Sequence, residues 1–195
     1  MVNNLAKVSR VCTYSVEDID REFQISAKTS IYRKSASAPL KILLERQLLR
    51  GSVLNFGKGR YDIDSTTIRE QVGHCTDYDY TFHKVDLIGQ HFDSVYAGYV
   101  VNTLPPQSRM VVWREIANAT KKEGGRAYIA ARSDADRAIK GLPYADGVRT
   151  SIGTFQVGFK SGQLEREALR VFKFAREIPA KSGFRIVECS HTPFD

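Results

Sequence analysis

The segment Val53-Leu54-Asn55-Phe56-Gly57-Lys58-Gly59-Arg60-Tyr61-Asp62 reads as a strand feeding a Gly-x-Gly turn and then a helix. A Cβ in such a turn would keep a ligand away from the backbone. The helix start beyond it offers unpaired N–H groups to an anion or a carboxylate. About twenty residues on, a second strand ends in Asp77-Tyr78-Asp79, where a carboxylate can accept both hydroxyls of a ribose. A Gly-x-Gly turn alone often serves only packing. With the downstream carboxylate it points to a nucleoside-bearing cofactor. The third small residue that a dinucleotide turn needs is replaced by Asp62, and a carboxylate facing a pyrophosphate is repelled at short range. The expected ligand is therefore cationic or zwitterionic near the turn. S-adenosylmethionine fits, with a sulfonium, an ammonium and a single carboxylate.

The elements that must hold these residues alternate between strand and helix. Ser15 and Asp18 mark a capping box, followed at helical spacing by Val16, Ile19 and Phe23. A basic loop, Thr29 to Ser35, comes next. The Leu40, Leu43, Leu44 and Leu48 stripe predicts a helix over 38–50, capped by Ser37, with Pro39 in its first turn and Gly51 as its stop. After the strand at 52–56, a helix is expected over 65–72 and a strand ending near 75–80. The apolar run from Phe92 to Val101 reads as a buried strand. A helix over 107–121 and a strand over 126–131 follow. A variable stretch, 133–160, leads to a last helix starting at Ser161 and using Leu164, Ala168, Val171, Phe172 and Ala175. The final strand is 184–189. Strands separated by helices imply βαβ units and a mostly parallel sheet, with ligands bound beyond the carboxyl ends of the strands.

Composition frames these expectations. The chain has 195 residues, 42% apolar and 26% charged. That excludes collagen, coiled coil and gross disorder. Residues 1–35 read as a polar, partly helical extension, and 36–195 as one domain. The net charge of +7 favours anionic partners, nucleic acid among them. The basic residues are scattered, so a well-charged soluble surface accounts for them equally. Three cysteines, Cys12, Cys75 and Cys189, are too few and too far apart for a disulfide framework, which suits a reducing compartment. The four histidines lack zinc spacing, so no metal is expected. There is no apolar run of membrane-spanning length and no signal-peptide pattern at the N-terminus, so the expected location is cytoplasmic.

Three stretches resemble class I S-adenosylmethionine-dependent methyltransferases, and among them those associated with DNA phosphorothioation gene clusters. They are Ile31 to Pro39; Val53 to Asp62 with Tyr78-Asp79 and Gly98-Tyr99-Val100-Val101-Asn102; and Asp146-Gly147-Val148-Arg149-Thr150-Ser151-Ile152-Gly153-Thr154-Phe155-Gln156. Together they cover about residues 30–170, and the third is the most distinctive. The resemblance implies a Rossmann-like α/β sandwich with a mostly parallel sheet. It implies that Gly57 and Gly59 line the methionine part of the cofactor, that Asp79 (or Asp77) binds the ribose, and that Tyr99 to Asn102 border the transferred methyl. The group usually has an acidic residue at Asn55, a Cys at Lys58 and a Gly at Tyr61; Asp62 stands close enough to offset the first loss. Such folds usually finish with a further antiparallel strand, for which this chain, on the elements above, has too few residues left.

The cofactor-binding set expected is thus Asn55, Gly57, Lys58, Gly59, Asp62, Asp79, Tyr99 and Arg33. Arg33 and Lys34 could clasp a carboxylate or phosphate, or belong to a solvated loop. On the acceptor side the candidates are Tyr99, Asn102, Phe155 and Gln156; Phe155 could instead pack in the core. Methyl transfer requires alignment more than acid–base help, so no obligate catalytic residue can be named. The Asn/Asp-Pro-Pro-Tyr/Phe and Pro-Cys motifs of standard base methylases are absent. Besides transfer to a nucleic-acid-linked acceptor, two other readings stand: breakdown of the cofactor, or a binding scaffold on a degenerate methyltransferase fold.

Overall fold

The computed structural model describes residues 15–180 and 183–194, and Cys12 lies outside them. In chain order the elements are α1 Val16–Ser26, α2 Ala38–Glu45, β1 Val53–Phe56, α3 Ile63–Val72, β2 Thr76–Tyr78, β3 Ser94–Gly98, α4 Pro106–Ala119, β4 Arg126–Arg132, β5 Leu142–Tyr144, β6 Gly147–Arg149, β7 Phe155–Gln156, α5 Gln163–Ala168, β8 Phe174–Ile178 and β9 Phe184–Ser190. Short 3-10 turns cover Ala27–Thr29 and Val101–Thr103.

A six-stranded sheet in the order β2-β1-β3-β4-β9-β8 forms the centre. The first four strands pair in parallel, and β9 runs antiparallel to both β4 and β8. Side chains alternate across the pleat, so one strand feeds two cores. Leu54 and Phe56 join Val95, Trp113, Ile129 and Val187 on one face. Val53 joins Leu40, Leu43, Tyr96, Tyr128 and Ile186 on the other. Burial on both faces is why the parallel strands read as continuous apolar runs. A second, three-stranded antiparallel sheet, β5-β6-β7, lies within the stretch left unassigned from sequence.

The capping box at Ser15 and Asp18 forms as expected. Three other expectations need correction. α2 stops at Glu45, not at residue 50. Gln47 takes a left-handed φ of 54°, and the N–H groups of Leu48 and Gln47 close onto the carbonyls of Leu43 and Leu44, both at 2.9 Å. This is a Schellman ending made without glycine. Leu48 therefore packs from a turn, not from a helical stripe. The strand expected over 92–101 spans only Ser94–Gly98, because Tyr99, at φ 63°, turns the chain out of the sheet.

The last helix is the third correction. It starts at Gln163 behind Gly162, not behind Ser161, and ends at Ala168. Of the residues read as its second half, Val171 and Phe172 lie in the turn beyond it, and Ala175 lies in strand β8, Phe174–Ile178. The spacing of Leu164, Ala168, Val171, Phe172 and Ala175 is helical, but five register pairs with β9 outweigh it. A short apolar run is ambiguous until a partner strand is known. β8 is thus the strand that the sequence reading left out, and β9, expected at 184–189, takes the place of the closing antiparallel strand.

Candidate cofactor and acceptor site

The carboxyl ends of β1, β2 and β3 open into one cavity of about 530 Å³, within the roughly 300–1,000 Å³ typical of small-ligand pockets. The glycine turn forms its floor. Gly57 and Gly59 both have φ 73°. A Cβ on Gly57 would sit 2.3 Å from Val100 Cγ2, so the residue must be glycine for the loop after β3 to pack there. The N–H groups of Gly57 and Lys58 both donate to the Tyr78 carbonyl, at 2.7 and 3.0 Å, which ties the turn to β2.

Of the two candidate acids at the β2 tip, only Asp79 lines the cavity. Asp77 faces α3, where it pairs with Arg69. Asp79 Oδ2 accepts the Gly59 N–H at 2.9 Å, and Oδ1 accepts those of Thr81 and Phe82 at 2.8 and 3.0 Å. The carboxylate therefore stitches the glycine turn to the loop after β2. A carboxylate offers about four acceptor positions, so the unfilled capacity lies on Oδ2.

Lys58 lines the cavity wall with its side chain 7% exposed, and its ammonium pairs with Asp62. The hydrogen bond from Lys58 holds the Asp62 carboxyl below its ordinary range. Asp62 itself is largely exposed and does not line the cavity, which corrects its assignment to the cofactor; it neutralises Lys58 instead. Tyr61 stands at the rim, edge-on to Tyr32. Neither Lys58 nor Tyr61 plugs the space.

The acid that does reach the cavity near β1 is Asp64, in the first turn of α3. Its Oδ1 accepts the Ser37 N–H at 2.7 Å. Asn55 is buried beside it, with Nδ2 2.9 Å from the hydroxyl of Ser65. Asp64 escaped the sequence analysis although it lies only two residues past Asp62. The helix was expected only from residue 65, whereas α3 begins at Ile63 and its twist turns Asp64 inward. Ser37 sits at the N-cap position of α2, but its hydroxyl bonds the buried Tyr96 hydroxyl at 2.8 Å rather than the helix.

α1 covers one side. Phe23 stacks on Tyr80 at 3.7 Å, and the Ser26 hydroxyl meets that of Thr103 at 2.6 Å. Tyr80 donates to Glu115, and burial pushes its phenol well up. Arg33 lines the cavity with its guanidinium 5.6 Å from the Tyr99 ring centroid. Burial also raises the Tyr99 phenol, opposed by the Arg33 charge.

On the acceptor side, Tyr99, Asn102 and Gln156 line the cavity, together with Arg132 and Asp136, which the sequence did not single out. Phe155 does not. It is fully buried in the core, so its place among the acceptor-side candidates is corrected. In a strand successive side chains point oppositely, so Phe155 packs inward while Gln156 faces the cavity. The distinctive run from Asp146 to Gln156 is what holds β7 there. Asp146 and Glu167 both bind the buried Arg109 of α4. Arg149 pairs with Glu22 of α1. A Cβ on Gly147 would lie 2.3 Å from the Gln156 carbonyl oxygen.

Among the described residues, no three His, Cys, Asp or Glu side chains gather to hold a metal, and no helix is long and apolar enough to cross a membrane. Cys75 and Cys189 are free thiols, and burial raises both, Cys75 to about 12.

Neither a protein-family model nor a curated protein sequence matches this chain. Solved structures do. One is the 1,6-didemethyltoxoflavin-N1-methyltransferase of Burkholderia thailandensis, with bound 1,6-didemethyltoxoflavin and S-adenosylhomocysteine (TM-score 0.54, 16% identity, 77% of this chain and 74% of that one). Another is DhpI in complex with S-adenosylhomocysteine (TM-score 0.53, 15% identity, 80% and 84%). A third is the PH0226 protein of Pyrococcus horikoshii OT3 (TM-score 0.56, 14% identity, 78% and 88%). At these identities the likeness is one of fold: the chain has the Rossmann-like fold found in S-adenosylmethionine-dependent methyltransferases.

Proposed function

We propose that this protein is an S-adenosylmethionine-dependent methyltransferase acting on a small molecule. One observation carries the reading: an open cavity at the strand tips places a left-handed glycine turn between two carboxylates, Asp79 and Asp64. The residues present fit the cofactor. Asp79 takes the ribose through Oδ2. Asp64 takes the ammonium, which restores the acid that Asn55 lacks. Gly57 and Gly59 let the amino-acid portion approach the backbone, and Arg33 meets its carboxylate. Because Lys58 is paired with Asp62, it presents no bare positive charge to a sulfonium.

When bound, the cofactor supplies a methyl already activated by the sulfonium. The chain's own contribution is alignment and exclusion of water. α1 and the Tyr99 turn wall the cavity, and Asn102, Gln156 and Arg132 shape the side on which the acceptor enters.

A small-molecule acceptor is favoured over the nucleic acid that net charge suggests. Part of the basic set is held in ion pairs, as in Arg69–Asp77, Arg132–Asp136, Arg176–Glu188 and Arg185–Asp134. One similar structure has been solved with a small molecule, 1,6-didemethyltoxoflavin, beside the cofactor product. Calorimetry with S-adenosylmethionine, followed by product analysis, tests the reading. Binding with S-adenosylhomocysteine formed on turnover is expected. No binding would reject it in favour of a scaffold, and cofactor fragments without acceptor would point to breakdown.

A further inference from the structure

The acceptor-side wall has a fixed hydrogen-bond polarity. A guanidinium only donates. Arg132 Nη1 lies 3.2 Å from the terminal oxygen assigned as Gln156 Oε1, and that contact requires the atom to be the oxygen. The same oxygen accepts Asn102 Nδ2 at 3.3 Å, and Asn102 Oδ1 in turn accepts the Arg132 backbone N–H, also at 3.3 Å. Arg132 thus anchors both ends of the chain, and neither amide can flip without setting donor against donor. Arg132 is itself held by Asp136, which accepts from Nε at 2.7 Å and from the Ala138 N–H at 3.0 Å.

The consequence falls on Gln156 Nε2. It has no protein partner among the described residues, and it is not among the fully buried unpaired atoms. Gln156 is 7% exposed and lines the cavity, so this nitrogen opens onto the cavity as a pure donor. Asp136, the carboxylate on this wall, is turned to Arg132.

We infer that Gln156, oriented by Arg132 and Asn102, is a specificity-determining residue that selects an acceptor bearing an anionic oxygen, such as a carboxylate or phenolate, over one presenting a cation. This rests on the methyltransferase reading and narrows its substrate class. An amine set against this free donor is left unpaired on binding, and that mismatch is costly.

The test uses the full chain saturated with S-adenosylhomocysteine and two aromatic probes of similar size and opposite charge, benzoate and benzylamine, followed by ligand-observed NMR titration. The wild type should bind benzoate roughly tenfold or more tightly than benzylamine, as expected when a hydrogen bond to a charged group is made on one side only. In Gln156→Glu the oxygen facing Arg132 is kept and the outward donor becomes an acceptor, so the preference should reverse. Benzylamine bound as well as benzoate by the wild type would overturn the inference, as would an unchanged preference in the variant. Failure of S-adenosylhomocysteine to bind at all would instead overturn the methyltransferase reading.

Discussion

Replacing Asp64 by Asn isolates one charge in the cavity. Asp64 is half-buried, and its Oδ1 accepts the Ser37 N–H at 2.7 Å. Asn retains that acceptor, so the start of α2 keeps its tie to α3. What is lost is the negative charge on the second oxygen, which has no protein hydrogen-bond partner among the described residues. A hydrogen bond to a charged group contributes about 1.5–3 kcal/mol. The half-open position puts Asp64→Asn toward the lower part of that range, so S-adenosylhomocysteine should bind roughly tenfold to fiftyfold more weakly. The assay is paired calorimetry with S-adenosylhomocysteine and 5′-methylthioadenosine, which lacks the amino-acid group. Asp64→Asn should weaken only the first. Asp79→Asn, at the sugar end, should weaken both. Equal losses for the two ligands in Asp64→Asn, or none for S-adenosylhomocysteine, would refute the placement of the ammonium at Asp64.

Two further outcomes concern the scaffold. Gly57→Ala forces a left-handed φ on a Cβ that meets Val100 at 2.3 Å; the backbone term alone costs about 1–2 kcal/mol, and a lowered Tm with lost cofactor binding should follow. Asp93, hydrogen-bonded by Lys121 and Ser52, has its carboxyl lowered to about 2 from 3.8. A depressed folded pKa means full stabilisation above about pH 4, lost as pH falls toward 2. Both partners are more than a third exposed, so solvent screening leaves about 1 kcal/mol or less. Urea melts between pH 2 and 5 should show a shallower acid limb in Asp93→Asn, and parallel limbs would dismiss the linkage.

The Gly-x-Gly turn, the β2-tip acid and the alternating elements were legible because each depends on local chemistry: positive φ at glycine, a carboxylate at a strand end, apolar periodicity. Residue order alone thus determined the parallel βαβ core and the end of the sheet at which a ligand can enter. Other choices between near neighbours were not legible. Asp64 rather than Asp62 and Gln156 rather than Phe155 face the cavity because helical twist and strand alternation decide which way a side chain points, and the register of those elements is set by packing partners far away in sequence. Asp79, which the resemblance preferred to Asp77, lines the cavity because it lies past the end of β2, where the chain turns. For the same reason Ala175, which continues a helical pattern, lies in a strand: β9 offers Phe174–Ile178 a ladder of hydrogen bonds that no local window contains. The donor polarity of the acceptor wall belongs wholly to tertiary structure, since it exists only when β4, β7 and the turn at Asn102 meet.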